Sequence, residues 1–307
     1  MKGIFGTPSE PLFNLPTTSL SPGLLAEWLQ VLANENNQNM KQASPDSGYF
    51  LSGIAVQFVF QLAVYLDLPV PAKYLAAELF ERFMVIHIRD LHKHAKGLKN
   101  NRLKEWKIIL DRVRSQLPLR ALSCCQVASK LTSHYKIVST GTVRKVLSSL
   151  GHNYSSDSIL QSEIRVLKTV NYHVMTTSPL IYLETLLEIM GYNNKDMDVK
   201  IFHKPCLHLL DFVYLRLTQV YDCLYHVATG RQPTSAKDRK KIVSVKRDYM
   251  LQATAIIAAS SYIVDQEHTD KVIDSLSQIT KIPSDDILDL AAIIIQQVTE
   301  DTEMVIE

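Results

Sequence analysis

The sequence predicts an all-α protein, and three observations lead to that prediction. Apolar residues recur at helical spacing in almost every segment from residue 50 onward. No stretch carries a convincing strand pattern, and no turn motif joins two such stretches into a hairpin. Two alanine-rich segments, 119–131 and 248–266, have the small side chains that let neighbouring helices approach closely, as at the centre of a bundle.

The first elements are a tail and a helix. Residues 1–20 are rich in Pro, Ser and Thr, a composition typical of a disordered tail. Ser21-Pro22 predicts a helix start, with a capping hydroxyl before a proline in the first turn. Five apolar residues share one face of this helix: Leu24, Leu25, Trp28, Val31 and Leu32. A polar stretch and a turn then end it.

Helices then follow one another to the end of the first half. Residues 50–68 are apolar nearly all round, which predicts a central helix, and Pro69 and Pro71 end it. A basic stretch farther on contains a short amphipathic helix of its own, which we expect to be a dispensable surface excursion. The predicted helices of this half are 50–68, 72–96, a short one around Trp106, 119–131, 141–150 and 156–174.

The second half is also predicted to be a series of helices. Its predicted helices are one beginning at Pro179, 205–228, 248–266 and the segments HTDKVIDSLSQITKI and SDDILDLAAIIIQQV, with a basic link at 238–247. We therefore expect five parts. They are a disordered tail (1–20), an N-terminal helix and linker (21–48), a first repeat (49–178) with a basic insertion (97–118), a second, degenerate repeat (179–299) and an acidic tail (300–307).

Composition excludes several classes of function. The 307 residues carry a formal net charge of only +2, and no apolar run reaches membrane-spanning length. The four cysteines include no CxxC pair, so we expect core thiols in a reducing compartment and neither zinc nor disulfides. His87, His92 and His94 do not share a helix face, and His203 and His208 are equally unconvincing as metal ligands. No P-loop, GxGxxG, HExxH or nucleophile elbow is present, so we expect no enzymatic activity and no cofactor.

Several motifs together resemble the cyclins. They are AVQFVFQL (55–62), LAAELFERFM (75–84), VASKL (127–131) and the series Glu163, Leu167, Val170 and Tyr172 ahead of a helix-opening proline. With the basic insertion, YLETLLEIMGYN and IIAASSYI, they look most like the cyclin N-terminal domain-containing protein 1 family, which is associated with meiotic crossover maturation. The resemblance implies a divergent cyclin with two tandem cyclin boxes, which correspond to the first and second repeats.

The resemblance also implies a kinase-binding site in the first cyclin box. Cyclins hold their kinase with a lysine and a glutamate that correspond to Lys130 and Glu163, which can satisfy acceptors and donors of a partner's backbone. Five apolar residues would supply buried area around them: Val127, Leu131, Leu167, Tyr172 and Val174. Leu119 and Glu81 match two further cyclin positions. The second repeat has Ser261 in place of the lysine, so the fold itself does not require the charge, and we expect both charged side chains to be partly exposed.

Two positions depart from the cyclin pattern. Ser52 stands where many cyclins have the arginine of a substrate-docking patch, so we do not expect that docking function. Thr132-Ser133 replaces an acidic pair.

The basic stretches leave two interpretations open. Residues 93–114 have eight Lys or Arg against two acids, and 237–247 have six against one. The first is either a contact for DNA phosphates or an acidic partner, or a solvated helical excursion. The second is either a nuclear localisation signal or a linker. The candidate contact residues are Lys96, Lys99, Arg102, Lys104, Lys107, Lys240 and Lys241.

We therefore expect a non-enzymatic, cyclin-like regulator that is nuclear and lies on meiotic chromosomes, with the cytoplasm as a possible additional location. It would bind a cyclin-dependent kinase through the first cyclin box and promote crossover maturation, with meiotic recombination factors as further partners. Two alternatives stay open: a cyclin-fold scaffold without kinase binding that recruits recombination or replication factors, and a cyclin-fold nucleic-acid-binding protein.

Overall fold

A computed structural model describes residues 11, 13–14, 20–96, 102–133, 136–194 and 197–306. These residues form thirteen α-helices and one 3-10 turn, and no strand occurs among them. The all-α prediction is confirmed. Within the same residues, no helix is both long enough and apolar enough to cross a membrane.

The described residues divide into two compact units. Unit 1 comprises those from 46 to 176, and unit 2 comprises those before 46 together with those from 177 onward. Unit 1 contains α2 (Gly53–Tyr65), α3 (Val70–Lys96), α4 (Arg102–Thr132), α5 (Thr140–Ser149) and α6 (Ser156–Thr169). Unit 2 contains α1 (Pro22–Gln42), α7 (Pro179–Asn193), α8 (Lys200–Leu215), α9 (Leu217–Thr229), α10 (Ala236–Lys246), α11 (Tyr249–Val264), the 3-10 turn Gln266–His268, α12 (Thr269–Thr280) and α13 (Ser284–Ile306).

Helix α4 is the central helix of unit 1 and packs against α2, α3, α5 and α6. Its C-terminal half is lined by small buried residues, among them Ala121, Ala128 and Ser129. Small side chains there allow the surrounding helices to approach closely. The Ser129 hydroxyl donates to the Gln126 carbonyl (2.8 Å) and accepts from the Val138 amide (3.0 Å), so it also fixes the segment that leads into α5.

Helix α2 is not central, although the sequence predicts it to be. Val59 and Ala63 are buried, whereas Ile54, Val64 and Tyr65 are 84%, 78% and 69% exposed. A helix that is apolar all round carries no periodicity to show which face is buried, and here only one face packs against α3 and α4.

The basic insertion is not a separate excursion. Residues 102–118 are the N-terminal half of α4, which continues through Pro118 without a break. The His92 and Trp106 rings lie 5.2 Å apart, and the Arg120 guanidinium carbon lies 6.0 Å from the Phe83 ring centre. These two pairs show that α3 and α4 run antiparallel, as the arms of one long helical hairpin. The prediction that a short helix around Trp106 stands apart from 119–131 is therefore wrong.

The hairpin predicts different outcomes for two deletions. Replacing 92–107 by a short Gly/Ser turn shortens both arms together, so the free energy of unfolding should fall only slightly. Replacing 97–118 removes one arm and its half-buried residues Ile109, Leu110 and Val113, which should lower the free energy of unfolding by at least about 3 kcal/mol. Urea unfolding followed by circular dichroism measures both. Equal stability of the two deletions would contradict the hairpin.

Helix α11 is the central helix of unit 2 and packs against α7, α8, α12 and α13. Twelve of its sixteen residues are buried, so the alanine-rich segment predicted at 248–266 forms as expected. The hydroxyl of Ser260 donates to the Phe202 carbonyl (3.2 Å), which ties α11 to α8 as Ser129 ties α4 to its neighbouring segment.

Helix α1 belongs to unit 2. Its residues Leu25 and Leu32 are buried, whereas Leu24 and Val31 are 52% and 43% exposed, so the buried face is narrower than the predicted one. The Trp28 indole donates to the Thr185 hydroxyl (3.2 Å). The helix also extends through a polar run to Gln42, where the sequence predicts a linker.

Asn36, in that polar run, lies 6% exposed against the start of α11. Its amide nitrogen donates to the Asp248 carboxylate (2.8 Å), and its amide oxygen accepts from the backbone N–H groups of Tyr249 (2.8 Å) and Met250 (3.3 Å). Because the first N–H groups of a helix lack partners within it, Asn36 caps α11 from a distant part of the chain.

Three further segments of unit 2 differ from the sequence expectation. The predicted helix 205–228 is two helices, α8 and α9, that meet at Arg216. The basic link is helix α10, which begins with a capping box formed by Ser235 and Asp238. The acidic tail continues α13, where the Asp301 carboxylate accepts two hydrogen bonds from the Arg216 guanidinium (2.7 and 3.1 Å).

The predicted disordered tail falls mostly outside the described residues. Of its described residues, Phe13 is 6% exposed, and its ring lies 5.4 Å from the His203 ring. The backbone N–H of Asn14 donates to the Glu188 carboxylate (2.9 Å). A Cβ at Gly191 would lie 2.0 Å from the side-chain nitrogen of Asn14, so a larger residue at 191 would have to displace the Asn14 side chain.

Candidate protein-binding site

Lys130 and Glu163 form an ion pair in unit 1. The Lys130 ammonium, at the last turn of α4, lies 2.5 Å from a Glu163 carboxylate oxygen in the middle of α6. The Lys130 side chain is 45% exposed and the Glu163 side chain is 10% exposed. The expectation that both are partly exposed therefore holds for the lysine only. One cation at the surface covers a nearly buried anion, and both keep hydrogen-bonding capacity for a partner.

The five apolar residues expected around this pair are not equivalent. Val127 is 3% exposed and belongs to the core, because it lies on the buried face of α4. Leu131, the next residue after Lys130, is 39% exposed. Leu167 and Val174 are half-buried, and Tyr172 is 63% exposed. Four of the five thus have surface to offer a partner.

Tyr172 is held in a backbone conformation that side chains rarely adopt. Asn171 and Tyr172 follow α6 with φ of 53° and 59°, in the left-handed region. The Tyr172 amide donates to the Leu167 carbonyl (2.8 Å), and Arg82 of α3 donates to the His173 carbonyl (2.6 Å). The left-handed conformation costs a residue with a side chain roughly 1–2 kcal/mol, yet here it presents a large ring to solvent. The Tyr172–Leu167 bond closes the C-terminal end of α6, as left-handed residues after a helix commonly do.

Two further residues matched to cyclin positions serve the fold. Glu81 is 1% exposed and accepts hydrogen bonds from the Gly48 and Phe50 amides, the latter at 2.7 Å. It thereby holds the segment that enters α2. Leu119 is 4% exposed. In place of an acidic pair, Thr132 donates to the Ala128 carbonyl (2.9 Å) and Ser133 accepts from the Lys136 amide (2.9 Å), so both close the end of α4.

The seven candidate basic residues are only partly covered by the structure. Lys107 on α4 and Lys240 and Lys241 on α10 are exposed. Lys96 lies at the end of α3, and Arg102 and Lys104 lie in the first turn of α4, with side chains outside the described set. Lys99 lies outside the described residues altogether.

Neither cysteines nor histidines build a reactive centre in the described residues. Cys124, Cys125 and Cys206 are buried, and burial raises the pKa of Cys125 and of Cys206 to about 12, which keeps these thiols protonated. Cys223 is half-buried. Within the described ranges no three His, Cys, Asp or Glu residues are grouped so as to hold a metal ion.

Two curated relatives identify the family. A protein of Mus musculus named cyclin N-terminal domain-containing protein 1 is 37% identical over 264 residues, which cover 85% of this chain and 79% of the relative. The Homo sapiens protein of that name is 36% identical over 254 residues, which cover 82% and 77%. The chain belongs to the cyclin N-terminal domain-containing protein 1 family. No protein-family model matches the chain.

Membership in this family confirms the resemblance drawn from VASKL and the neighbouring motifs. With thirteen helices among the described residues, in two units each built around a small-residue central helix, the fold is an all-α cyclin fold. The chain is therefore a cyclin-like regulatory protein.

Sequence reasoning missed some exposed apolar residues of unit 1. Leu160 and Ile164 on α6 are 42% and 39% exposed, and Met175 after Tyr172 is 68% exposed. A helical projection could have found the first two, because the buried stripe of α6 runs through Ile159 and Val166 and leaves Leu160 and Ile164 off it. No comparable periodicity marks Met175, which lies in a loop.

Proposed function

We propose that this protein binds a cyclin-dependent kinase through unit 1 and thereby promotes crossover maturation in meiosis, on chromosomes in the nucleus. The observation that carries the proposal is the Lys130–Glu163 pair, which is flanked in sequence by exposed Leu131 on α4 and half-buried Leu167 on α6. A charged pair beside apolar surface supplies both the polar contacts and the buried area that a stable interface needs. The meiotic role rests on the family resemblance.

Tyr172 offers a test in which binding and stability should change in different directions. Tyr172→Gly removes an exposed ring and relieves the left-handed backbone, so the free energy of unfolding should stay level or rise by up to about 1 kcal/mol. Kinase binding should fall at least tenfold, because aromatic anchors carry a large share of interface energy. Binding is measured against a panel of recombinant cyclin-dependent kinases and by co-purification from germ-cell extract.

Asn171→Gly is the matched control. It changes the neighbouring left-handed residue and removes no ring, so it should stabilise the chain similarly and leave kinase binding unchanged. If Tyr172→Gly and Asn171→Gly bind kinase equally well, Tyr172 is not part of the interface. If the wild-type chain brings down recombination factors and no kinase, the scaffold alternative replaces this proposal.

A further inference from the structure

A second surface of unit 1 is a basic cavity of about 440 Å³ between α4 and α6. Three cations line it: Arg120 from α4, and Arg165 and Lys168 from α6. The rest of the wall is polar or apolar and contains no acid, with Gln116, Leu119, Tyr154, Ser158, Gln161, Ser162, Ile164 and Thr169. Three cationic residues therefore line one concave site.

Arg120 is the unusual member, because it is only 6% exposed. Its guanidinium donates to the Ser162 hydroxyl (2.7 Å) and to the Gln116 side-chain oxygen (2.9 Å), both neutral groups. The Nε–H has no acceptor among the described residues, and within the same set no carboxylate forms an ion pair with Arg120, Arg165 or Lys168. A buried charge is normally paired, so the protein holds this cation ready for an anion that it does not itself supply.

The surroundings hold the guanidinium in place. Ser123 donates to the Leu119 carbonyl (2.8 Å) and lies 2.7 Å from the Ser162 hydroxyl. Ser162 therefore donates to Ser123 and accepts from Arg120, which leaves no hydroxyl proton free to rearrange. A cation fixed in this way needs little reorganisation to receive a ligand.

The cations of the cavity also affect the pKa of His87 on α3. The pKa of His87 is lowered to about 4, first by burial and then by repulsion from Arg120 and Arg165. Burial and the charge of Arg165 also lower the pKa of Arg120. In both cases burial is the larger cause and the neighbouring cations add to it, while Asp90 acts in the opposite direction on His87.

We propose that this cavity binds the phosphoryl group of a phosphorylated serine or threonine on a partner protein. A phosphomonoester has close to two negative charges and three acceptor oxygens, which matches three converging cations with two planar guanidinium groups. The cavity exceeds a bare phosphate in size, and its apolar walls Leu119 and Ile164 can cover the side chain and flanking residues of a peptide. The inference is independent of the kinase interface, since it uses none of the residues assigned there.

The observations favour a phosphopeptide over nucleic acid. A nucleic-acid backbone presents phosphates at regular intervals and is bound by cations spread along a stripe. Here the cations gather at one point, and on α6 the nearby residues are apolar at Leu160 and acidic at Asp157. One isolated, strongly charged phosphoryl group suits that arrangement better.

The test measures binding of a fluorescent mixture of short peptides with a central phosphothreonine and randomised flanks, by anisotropy with the full chain. The phosphorylated mixture should bind at least tenfold more tightly than the same mixture without phosphate. Arg165→Gln with Lys168→Gln should reduce its affinity at least tenfold. These two side chains are exposed, so the variant should fold, whereas Arg120→Met alters a buried group and serves as a second variant.

Arg144→Gln with Lys145→Gln is the matched control, because it removes the same charge from exposed positions of α5 and should leave affinity within twofold. The proposal is overturned if control and site variants weaken binding equally, or if phosphate on the peptide makes no difference. Inorganic phosphate or a short oligonucleotide that competes as well as the phosphopeptide would assign the cavity to a small anion or to nucleic acid instead. Loss of kinase binding by Tyr172→Gly has no bearing on any of these results.

Discussion

Exchanging the charges of Lys130 and Glu163 should abolish kinase binding while leaving unit 1 folded. The double variant Lys130→Glu, Glu163→Lys still pairs one lysine with one glutamate between α4 and α6. The nearly buried side chain at position 163 therefore keeps a partner of opposite charge. A kinase that presents acceptors to Lys130 and donors to Glu163 would then meet groups of the wrong kind. Each buried polar group left unpaired costs about 1–3 kcal/mol, so two of them should weaken binding at least about thirtyfold.

The exchange is a sharper test than truncation. Lys130→Ala alone would leave a carboxylate that is 10% exposed without its cation, and lost binding could then reflect lost stability. The exchange itself places a carboxylate at the C-terminus of α4, which should cost the fold about 0.3–1 kcal/mol, a loss that thermal unfolding can verify.

A control exchange is available on the same helix. Asp111 and Arg114 form an exposed ion pair (3.2 Å) on α4, and Asp111→Arg with Arg114→Asp should affect neither fold nor binding. Surface plasmon resonance against the kinase, together with crossover foci in germ cells, provides the readout. A folded Lys130–Glu163 exchange variant that binds within twofold of wild type would show that this pair is not the contact. Loss of kinase with normal foci would favour the scaffold.

Asn36→Leu should produce the largest loss of stability in unit 2, about 3 kcal/mol. Leucine has a similar size but removes the acceptor for the Tyr249 and Met250 amides and the donor to Asp248. At least two buried groups at the start of the central helix then lack partners, at about 1–3 kcal/mol each. Native domains have only about 5–15 kcal/mol of stability, so calorimetry should show the transition lowered by about 10 °C.

Asn37→Leu separates capping from a general effect of the substitution. Asn37 is exposed on the same helix and its replacement should change stability by no more than about 0.5 kcal/mol. Hydrogen exchange provides a local check, because the first amides of α11 should lose protection in Asn36→Leu before those of α7. Similar stability of the two variants would mean that Asn36 contributes no cap.

The sequence was most informative where burial follows helical spacing. The predicted helices α3, α5 and α11 appear close to their expected bounds, because their apolar residues form a stripe or fill the whole surface. Helix α4 was divided in prediction because the charged residues of its N-terminal half hide the apolar face around Ile109. The break between α8 and α9 at Arg216 was not predicted, because no glycine or proline marks it.

Features that depend on distant contacts had no local signal. Asn36 sits in a run of polar residues, and its partners at 248–250 are more than 200 positions away in the chain. The family resemblance placed Lys130 and Glu163 in one site, but it did not reveal that they satisfy each other or that Glu163 is nearly buried. The basic cavity around Arg120 was missed because α4 and α6 supply its charges at unrelated sequence positions.

The assignment of α1 to unit 2 has a consequence for how the chain is synthesised. Helix α1 leaves the ribosome before unit 1, yet its capping partner α11 is complete only about 220 residues later. At about 5–20 residues per second, α1 waits roughly 10–45 s, during which all of unit 1 is translated. Through that interval Leu25 and Leu32 have no core to enter, and the polar run around Asn36 keeps the nascent segment hydrated. The part of unit 2 that follows unit 1 therefore completes the structure around α1 only after unit 1 has been translated.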